Sequence, residues 1–564
     1  MKIKLIFLKR LFSVVTFLLF VSFQAYNQVL PSGPQVLSFH SDVDDTEQPY
    51  SLYIPKNFNP KKKYPFVVML HGAGSNHRLG MRRVFGKSNF TGENDVEASR
   101  YFPEWKDVDY IVAASYARGT AGYQGIMEKD VMDMVADVKK RFLIDEDRTY
   151  LTGLSMGGGG TLWIGMSYPD MWAAIAPVCP APPDGTKEKL GNALNFPVHY
   201  FQGDKDAAVN VDSTRKLVAK MKELGTNVEY VEYPGVGHNS WERAYQDEFI
   251  FSWFSKFKRN KYPDRVRYAT PQYKHNKAYW VTVDDIETGA VAEIDAKFSA
   301  TNKIDITSNK LLAFTLNLTG HPKFKANALM DVTVNGKNFK VTTPTSLGFH
   351  QNNGQWAVSS RVISGLAKMQ GAEGPMSEVV ASRHIYVYGT GGNPSKEDLE
   401  KRVEIARKAA DWATYRGDFL GSVMVFPRVV ADKDVRPFDI ESSNLVLFGT
   451  KETNTLIAKY SDQLPLALSG VEADNGLAYV FPMGKKYVLV NSGLPWWEAA
   501  RTSATGSPVS RLSSPLTLNS LRKLGDYLVF NKTTVLAEGR FDNNWKLTGA
   551  DAEKVKNSGV VSLK

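Results

Sequence analysis

The chain has 564 residues, 43% hydrophobic and 23% charged, a formal net charge of +10 and one cysteine. That length calls for roughly two to four domains. The mild basic excess lacks the dense Lys/Arg stripe with interleaved aromatics that a nucleic-acid partner needs, and a lone cysteine excludes an internal disulfide.

Residues 1–25 read as a signal peptide. Lys2, Lys4, Lys9 and Arg10 precede the apolar Leu11–Phe23, and Gln24-Ala25 offers a cleavage point. The apolar run is short against the ~20 residues of a membrane span. The expectation is therefore a secreted or periplasmic protein with no stable membrane span after signal cleavage. An uncleaved anchor is the alternative, because Phe23 stands three residues before the cut.

Val36–Ile54 suggests two antiparallel strands, and Tyr64–Leu70 and Tyr110–Ser115 are buried strands. Asp130–Phe142 has helical spacing, with apolar residues at Val131, Met134, Val135, Val138 and Phe142. Arg148–Leu151 is a short strand and Thr161–Tyr168 a buried helix. Strands alternating with helices of this length predict an α/β fold with a doubly wound, mostly parallel sheet.

Between that last strand and helix lies Gly153-Leu154-Ser155-Met156-Gly157, a nucleophile-elbow pattern. A serine held in a strained turn needs neighbours without bulk, which Gly153 and Gly157 supply. Ser155 is the expected nucleophile. The Met156 amide, at a helix start, is one expected oxyanion donor. The second is Ala73 in His71-Gly72-Ala73-Gly74, directly after Tyr64–Leu70. Gly74, Arg118 on the loop leaving Tyr110–Ser115, and Trp241 are the expected substrate contacts.

An acid and a histidine follow in chain order. The strand in Pro197–Gly203 ends in Asp204-Lys205-Asp206, where two aspartates compete, and Asp206 is favoured over Asp204. A helix, Ser213–Leu224, and a strand, Asn227–Tyr233, lead to His238 in a glycine-flanked loop. In these roles Asp206 orients the imidazole, and His238 takes the Ser155 proton and returns it to the leaving group. Trp241–Lys256 reads as a closing helix.

On these motifs, residues 40–258 resemble the α/β-hydrolases: secreted feruloyl and acetylxylan esterases, polyhydroxyalkanoate depolymerases, and the catalytic domain of the prolyl oligopeptidase family. The resemblance implies a serine esterase forming an acyl-enzyme on an ester substrate, with acyl groups on polysaccharide as the expected source. Gly-x-x-Asp, the pattern carrying the acid in such esterases, favours Asp206. A prolyl-oligopeptidase-like peptidase and a non-catalytic binding or assembly module are the alternatives. No cofactor and no metal are expected: the nine histidines are scattered, and His71 and His77 lack a carboxylate at ligand spacing. Cys179 reads as a packed, inert thiol, with a place on the active-site rim as the alternative. Oligomeric state is not readable.

The expected units are the hydrolase at 36–260, a small β-sandwich at 265–360 and a second α/β domain at 370–564. The sandwich reading rests on short, evenly spaced strands and the Asn335-Gly336 hairpin turn. Trp280 is an exposed-aromatic candidate for polysaccharide, and a structural brace beside the hydrolase is the alternative role for this unit. The last unit is expected to contain a helix at Lys396–Arg416 and a strand at Ser422–Phe426. Its Gly389-Thr-Gly-Gly loop matches no phosphate-binding fingerprint.

Overall fold

The computed structural model describes residues 30–412, 423–469, 474–499 and 516–564, so the targeting segment lies outside the described residues. No helix among the described residues is long and apolar enough to cross a membrane.

Eight strands form the first sheet: β1 (Gly33–Ser41), β2 (Thr46–Ile54), β3 (Tyr64–Leu70), β4 (Ile111–Ser115), β5 (Ile144–Leu154), β6 (Ala174–Val178), β7 (Val198–Gly203) and β8 (Val228–Tyr233). Their spatial order is β1-β2-β4-β3-β5-β6-β7-β8. Pairing is antiparallel through β1, β2 and β4 and parallel from β4 to β8. β3 is buried along its whole length, as a central parallel strand covered on both faces must be. The helices that matter for the site are α1 (His77–Val84), α2 (Ile126–Arg141), α3 (Met156–Ser167) and α4 (Val211–Glu223).

Three elements depart from the sequence reading. The first is α3, whose start at Met156 is the expected one but which includes the four glycines that the apolar run Thr161–Tyr168 left out. The cause is close packing. A Cβ on Gly157, Gly158 or Gly159 would stand 2.1, 2.4 or 2.0 Å from the carbonyl oxygens of Leu70, Val178 and Ala181, and one on Gly160 would stand 2.4 Å from the Tyr123 ring. The second is α2, which starts four residues before Asp130.

The third departure is the closing helix, which is broken. Helical pieces Trp241–Ala244 and Phe249–Phe254 flank Asp247 and Glu248, both at positive φ. Tertiary contacts override the periodicity there. The Tyr245 hydroxyl is tied to Thr152 of β5, and its carbonyl closes on Gly86, where a Cβ would be 2.5 Å away.

Residues 265–358 form two five-stranded sheets enclosing their own core. Trp280 belongs to that core, 2% exposed, with its indole N–H donated to Pro263 O at 2.7 Å. It is a packing residue and offers no platform to a sugar.

Further on, a seven-stranded mixed sheet is built on His384–Tyr388, Arg428–Ala431, Asn444–Phe448 and Lys486–Gly493, which pair parallel. Asn475–Met483, Tyr527–Asn531 and Thr534–Gly539 extend it antiparallel. The helix expected to reach Arg416 is assigned to Lys396–Ala410, and residues 413–422 lie outside the described residues. Ser422, the first residue of the strand expected at Ser422–Phe426, lies outside the described residues, and the rest, 423–426, is a docked segment instead. Val423 bridges to Gly119, and the amides of Met424 and Phe426 donate to Arg118 O at 3.1 Å and Asp44 Oδ2 at 3.0 Å.

The last unit and the hydrolase share one continuous hydrophobic core, whereas the sandwich keeps a separate one. A buried polar joint ties all three together. Glu128 of α2 accepts from Trp163, Tyr168, Lys274 and His275, at 2.8, 2.7, 3.2 and 2.7 Å. Beside it Glu373, 6% exposed, accepts the amides of Tyr273 and Lys274 at 2.5 and 2.8 Å. Burial, then the neighbouring Glu378 charge, push the Glu373 carboxyl above its ordinary range.

The folded chain therefore keeps this proton where the unfolded chain has released it. From the ordinary carboxylate pKa upward, the joint loses stability as pH rises. Burial raises the Glu378 carboxyl in the same direction, so Glu378→Gln removes both that titration and the charge facing Glu373. Its thermal midpoint, relative to the parent, is expected to be higher at about pH 8 than at about pH 5, measured by scanning calorimetry. An offset independent of pH would refute that coupling.

Candidate active site

Ser155 stands between β5 and α3 at φ 54° and ψ −116°. For a residue with a Cβ this is a costly conformation. It is held by its own backbone: Ser155 N donates to Val178 O at 2.9 Å, and Ser155 O accepts from Gly159 and Ala181 at 3.0 Å each. Gly153 permits the turn, since a Cβ there would lie 2.4 Å from Gly157 O.

The loops after β7 and β8 bring the other two groups. Asp204 N donates to Tyr233 O at 3.2 Å and Lys205 N to Val236 O at 2.9 Å, so the two loops are zipped together. Gly203 allows this approach, because a Cβ would fall 2.3 Å from Val236 O and Gly237 O. His238 Nε2 then lies 2.9 Å from Ser155 Oγ, and its Nδ1 2.8 Å from Asp206 Oδ2. With Nδ1–H donating to the carboxylate, Nε2 is the acceptor facing the hydroxyl.

The two aspartates have different partners. Asp204 Oδ1 accepts the Gly235 amide at 2.7 Å, so that carboxylate pins the loop. Asp206 accepts the amides of Ala208 and Val209 at 2.9 and 2.8 Å and the Gln202 amide group at 2.7 Å. Burial alone would raise its carboxyl, but the hydrogen bonds from His238, Val209 and Ala208 hold it below the usual range. Asp206 is thus an anion with no exposed side-chain surface, facing the imidazole.

The loop after β3 approaches the serine from the other side. A Cβ on Gly72 would sit 2.7 Å from the Leu154 side chain and 3.6 Å from Ser155 Cβ. Among the described residues, neither the Ala73 nor the Met156 amide has a hydrogen-bond acceptor. The Gly74 amide is committed to Thr120 Oγ1 at 3.0 Å. His71 is wholly buried, and burial lowers its pKa; the neutral ring faces Gly72 O at 2.8 Å and Tyr116 O at 2.9 Å, with one N–H to give. Tyr123 OH donates to His71 O at 2.9 Å.

Trp241 sets its ring edge-on to His238, with centroids 5.5 Å apart. Arg118 requires a correction. Its side chain has no exposed surface, and it donates to Asp44 at 2.6 Å, Asp130 at 2.5 Å, Ser41 at 2.6 Å and Met424 O at 3.3 Å. Breaking a buried pair of this kind costs about 3–5 kcal/mol. Arg118 is a structural cation rather than a substrate contact. Tertiary partners as distant in sequence as Asp44 and Met424 leave no local signal of this. Thr120, Gln202 and Tyr123 were missed for the same reason.

Cys179 is fully buried at φ 35°. Its sulfur, Asp206 and His238 form the one cluster with metal-ligand spacing among the described residues. Two of its members already hydrogen-bond each other, and burial pushes the thiol up to about 12, so it is no thiolate ligand.

The sheet and this arrangement of serine, imidazole and carboxylate define an α/β-hydrolase. Residues 58–253 match the family model for phospholipase/carboxylesterase. A probable carboxylesterase SOBER1-like protein of Arabidopsis thaliana is 22% identical over 209 residues, 34% of this chain and 78% of that protein. A solved thermostable esterase is 28% identical, with a TM-score of 0.33; the match covers 40% of this chain and 63% of that one. A solved ferulic acid esterase is 20% identical, with a TM-score of 0.32, covering 40% of this chain and all of that one.

Because the Cys179 thiol is sealed and protonated, iodoacetamide at neutral pH is expected to leave esterase turnover of the native protein unchanged and to label Cys179 only after unfolding. Loss of turnover in step with labelling of native protein would place the thiol at an open site.

Proposed function

We propose that this protein is an exported serine hydrolase that cleaves carboxylic esters through an acyl-enzyme. The observation that carries the reading is His238 standing between Ser155 Oγ and an ionised Asp206, at 2.9 and 2.8 Å. Ser155 Oγ attacks the ester carbonyl carbon as its proton passes to His238 Nε2. The carbonyl oxygen, now an alkoxide, is met by the free amides of Ala73 and Met156. Collapse expels the alcohol, which takes the proton from His238. Water, deprotonated by the same nitrogen, attacks the acyl carbon and frees the carboxylic acid and Ser155. Asp206 stays ionised throughout and stabilises the imidazolium.

Acyl groups on polysaccharide are the substrate class we propose, supported by the resemblance of the elbow and His-Gly-Ala-Gly motifs to feruloyl and acetylxylan esterases. Export is supported by the sequence of residues 1–25 alone.

Ser155→Ala and His238→Ala are each expected to lower kcat on p-nitrophenyl acetate by at least about 10³-fold with unchanged thermal midpoints. Asp206→Asn is expected to cost less than either, and Asp204→Asn the least, since its carboxylate serves a loop amide. A fluorophosphonate should label the parent and not Ser155→Ala. Comparing methyl ferulate, acetylated xylan and a proline-linked amide tests the substrate class. Folded parent that neither turns over esters nor takes the label would refute the reading, and cleavage of the amide alone would replace it with a peptidase.

A further inference from the structure

Residues 116–125, which leave β4 and run to α2, touch both the oxyanion loop and the last unit. On the inner side Thr120 Oγ1 takes the Gly74 amide, Tyr116 O faces the His71 ring, and Tyr123 OH donates to His71 O. These contacts fix the residues on both sides of Ala73. On the outer side the same stretch meets the last unit at three places. Val423 bridges to Gly119 with the Met424 amide on Arg118 O at 3.1 Å, Arg522 Nη2 donates to Ala121 O at 3.3 Å, and Ala381 packs against Gly125.

The stretch is also strained. Ala117 and Arg118 are non-glycine residues at φ 44° and 61°, followed by Gly119 at φ 93°. Such a turn persists only where its surroundings over-determine it. The hydrolase supplies part of that constraint, through Asp130 and Ser41 on the Arg118 guanidinium. The last unit supplies the rest, through the amide and carbonyl of Met424 and the Arg522 side chain.

We propose that the unit formed by residues 370–564 is a positioning element for catalysis: by clamping residues 116–125 it holds the Ala73 amide where the alkoxide develops. The inference rests on the proposed role of Ala73 as an oxyanion donor. Met156, the other donor, is set by β5 and α3 within the hydrolase. The clamp therefore governs one donor of two. Because an oxyanion donor acts on the transition state, its displacement lowers kcat and leaves KM nearly unchanged.

The test uses full-length protein. Met424→Pro removes the N–H that reaches Arg118 O, while Met424→Ala trims a side chain that is 37% exposed and keeps the amide. Arg522→Met removes the donor to Ala121 O, and Arg522→Lys retains one. Met424→Pro and Arg522→Met are expected to lower kcat on p-nitrophenyl acetate about tenfold or more, with KM within about twofold. Met424→Ala is expected to match the parent, and Arg522→Lys to recover part of the loss. Thr120→Val, made wholly within the hydrolase, should mimic Met424→Pro, and the double variant should lose no more than the worse single one.

Amide hydrogen exchange read by mass spectrometry makes the outcome independent of turnover. Peptides covering residues 71–74 and 116–125 should exchange faster in Met424→Pro than in Met424→Ala. Unchanged exchange, or a loss of activity carried by KM, overturns the clamp. An inactive parent whose exchange responds as expected overturns the esterase reading instead. If Met424→Pro does not fold, Arg522→Met and Thr120→Val decide the matter by the same two readouts.

Discussion

Everything at the site depends on a serine held at φ 54° by backbone approaching it from three directions. β6 accepts its amide through Val178, the first turn of α3 and Ala181 donate to its carbonyl, and the β3 exit passes within a glycine's breadth of Gly157. Side chains at Gly157, Gly158 or Gly159 would meet carbonyl or peptide atoms that cannot move without moving a strand or its exit loop, and one at Gly153 would meet the first turn of α3. The four helical glycines look wasteful on propensity, each costing about 1 kcal/mol relative to alanine. Here they let α3 settle against the strand ends, which aims the Met156 amide and the Ser155 hydroxyl into the same space. Helix propensity is surrendered for close approach, as strained functional turns require.

The same economy governs the acid. Two aspartates two residues apart have opposite duties because each carboxylate meets different amides. Asp204 caps the histidine loop through Gly235, and Asp206 turns inward to His238 while Ala208, Val209 and Gln202 fill its remaining acceptor positions. A buried carboxylate without those donors would take up a proton and leave the imidazole without a counter-charge. The His238 N–H, brought in after β8, is the largest of the contributions that keep Asp206 ionised, and the amides of Val209 and Ala208 on its own loop add to it.

What could be read from the sequence was what local chemistry dictates. Gly153 to Gly157 announces an elbow, glycines flank the oxyanion and histidine loops, and chain order alone pairs Ser155 with a later aspartate and histidine. The strand-helix alternation was legible because buried parallel strands leave continuous apolar runs. Arg118 and Trp280 were misread, and for one reason. An arginine in a loop beside a site and a tryptophan in a short strand each look available until Asp44, Asp130 and Met424, or Pro263, Phe298 and His321, close on them. The closing helix failed similarly: its periodicity was sound, but the pull of Tyr245 toward Thr152 and Gly86 broke it.

The division of the chain follows from where its cores lie. The sandwich encloses its own apolar interior and meets its neighbours through a polar joint, where Lys274 and His275 reach Glu128. The last unit has no such independence: its apolar interior runs into that of the hydrolase, and its Val423–Phe426 segment spends backbone donors on Arg118 and Asp44. Buried amides seldom go unpaired, so separating the two would expose apolar surface and leave Asp44 and Arg118 short of partners together. The hydrolase sheet is continuous in sequence, but the surface that closes over its β4 exit loop is supplied from about 300 residues further along the chain. The catalytic groups are thus local to one unit, while the rigidity of the loop beside them is a property of the whole chain.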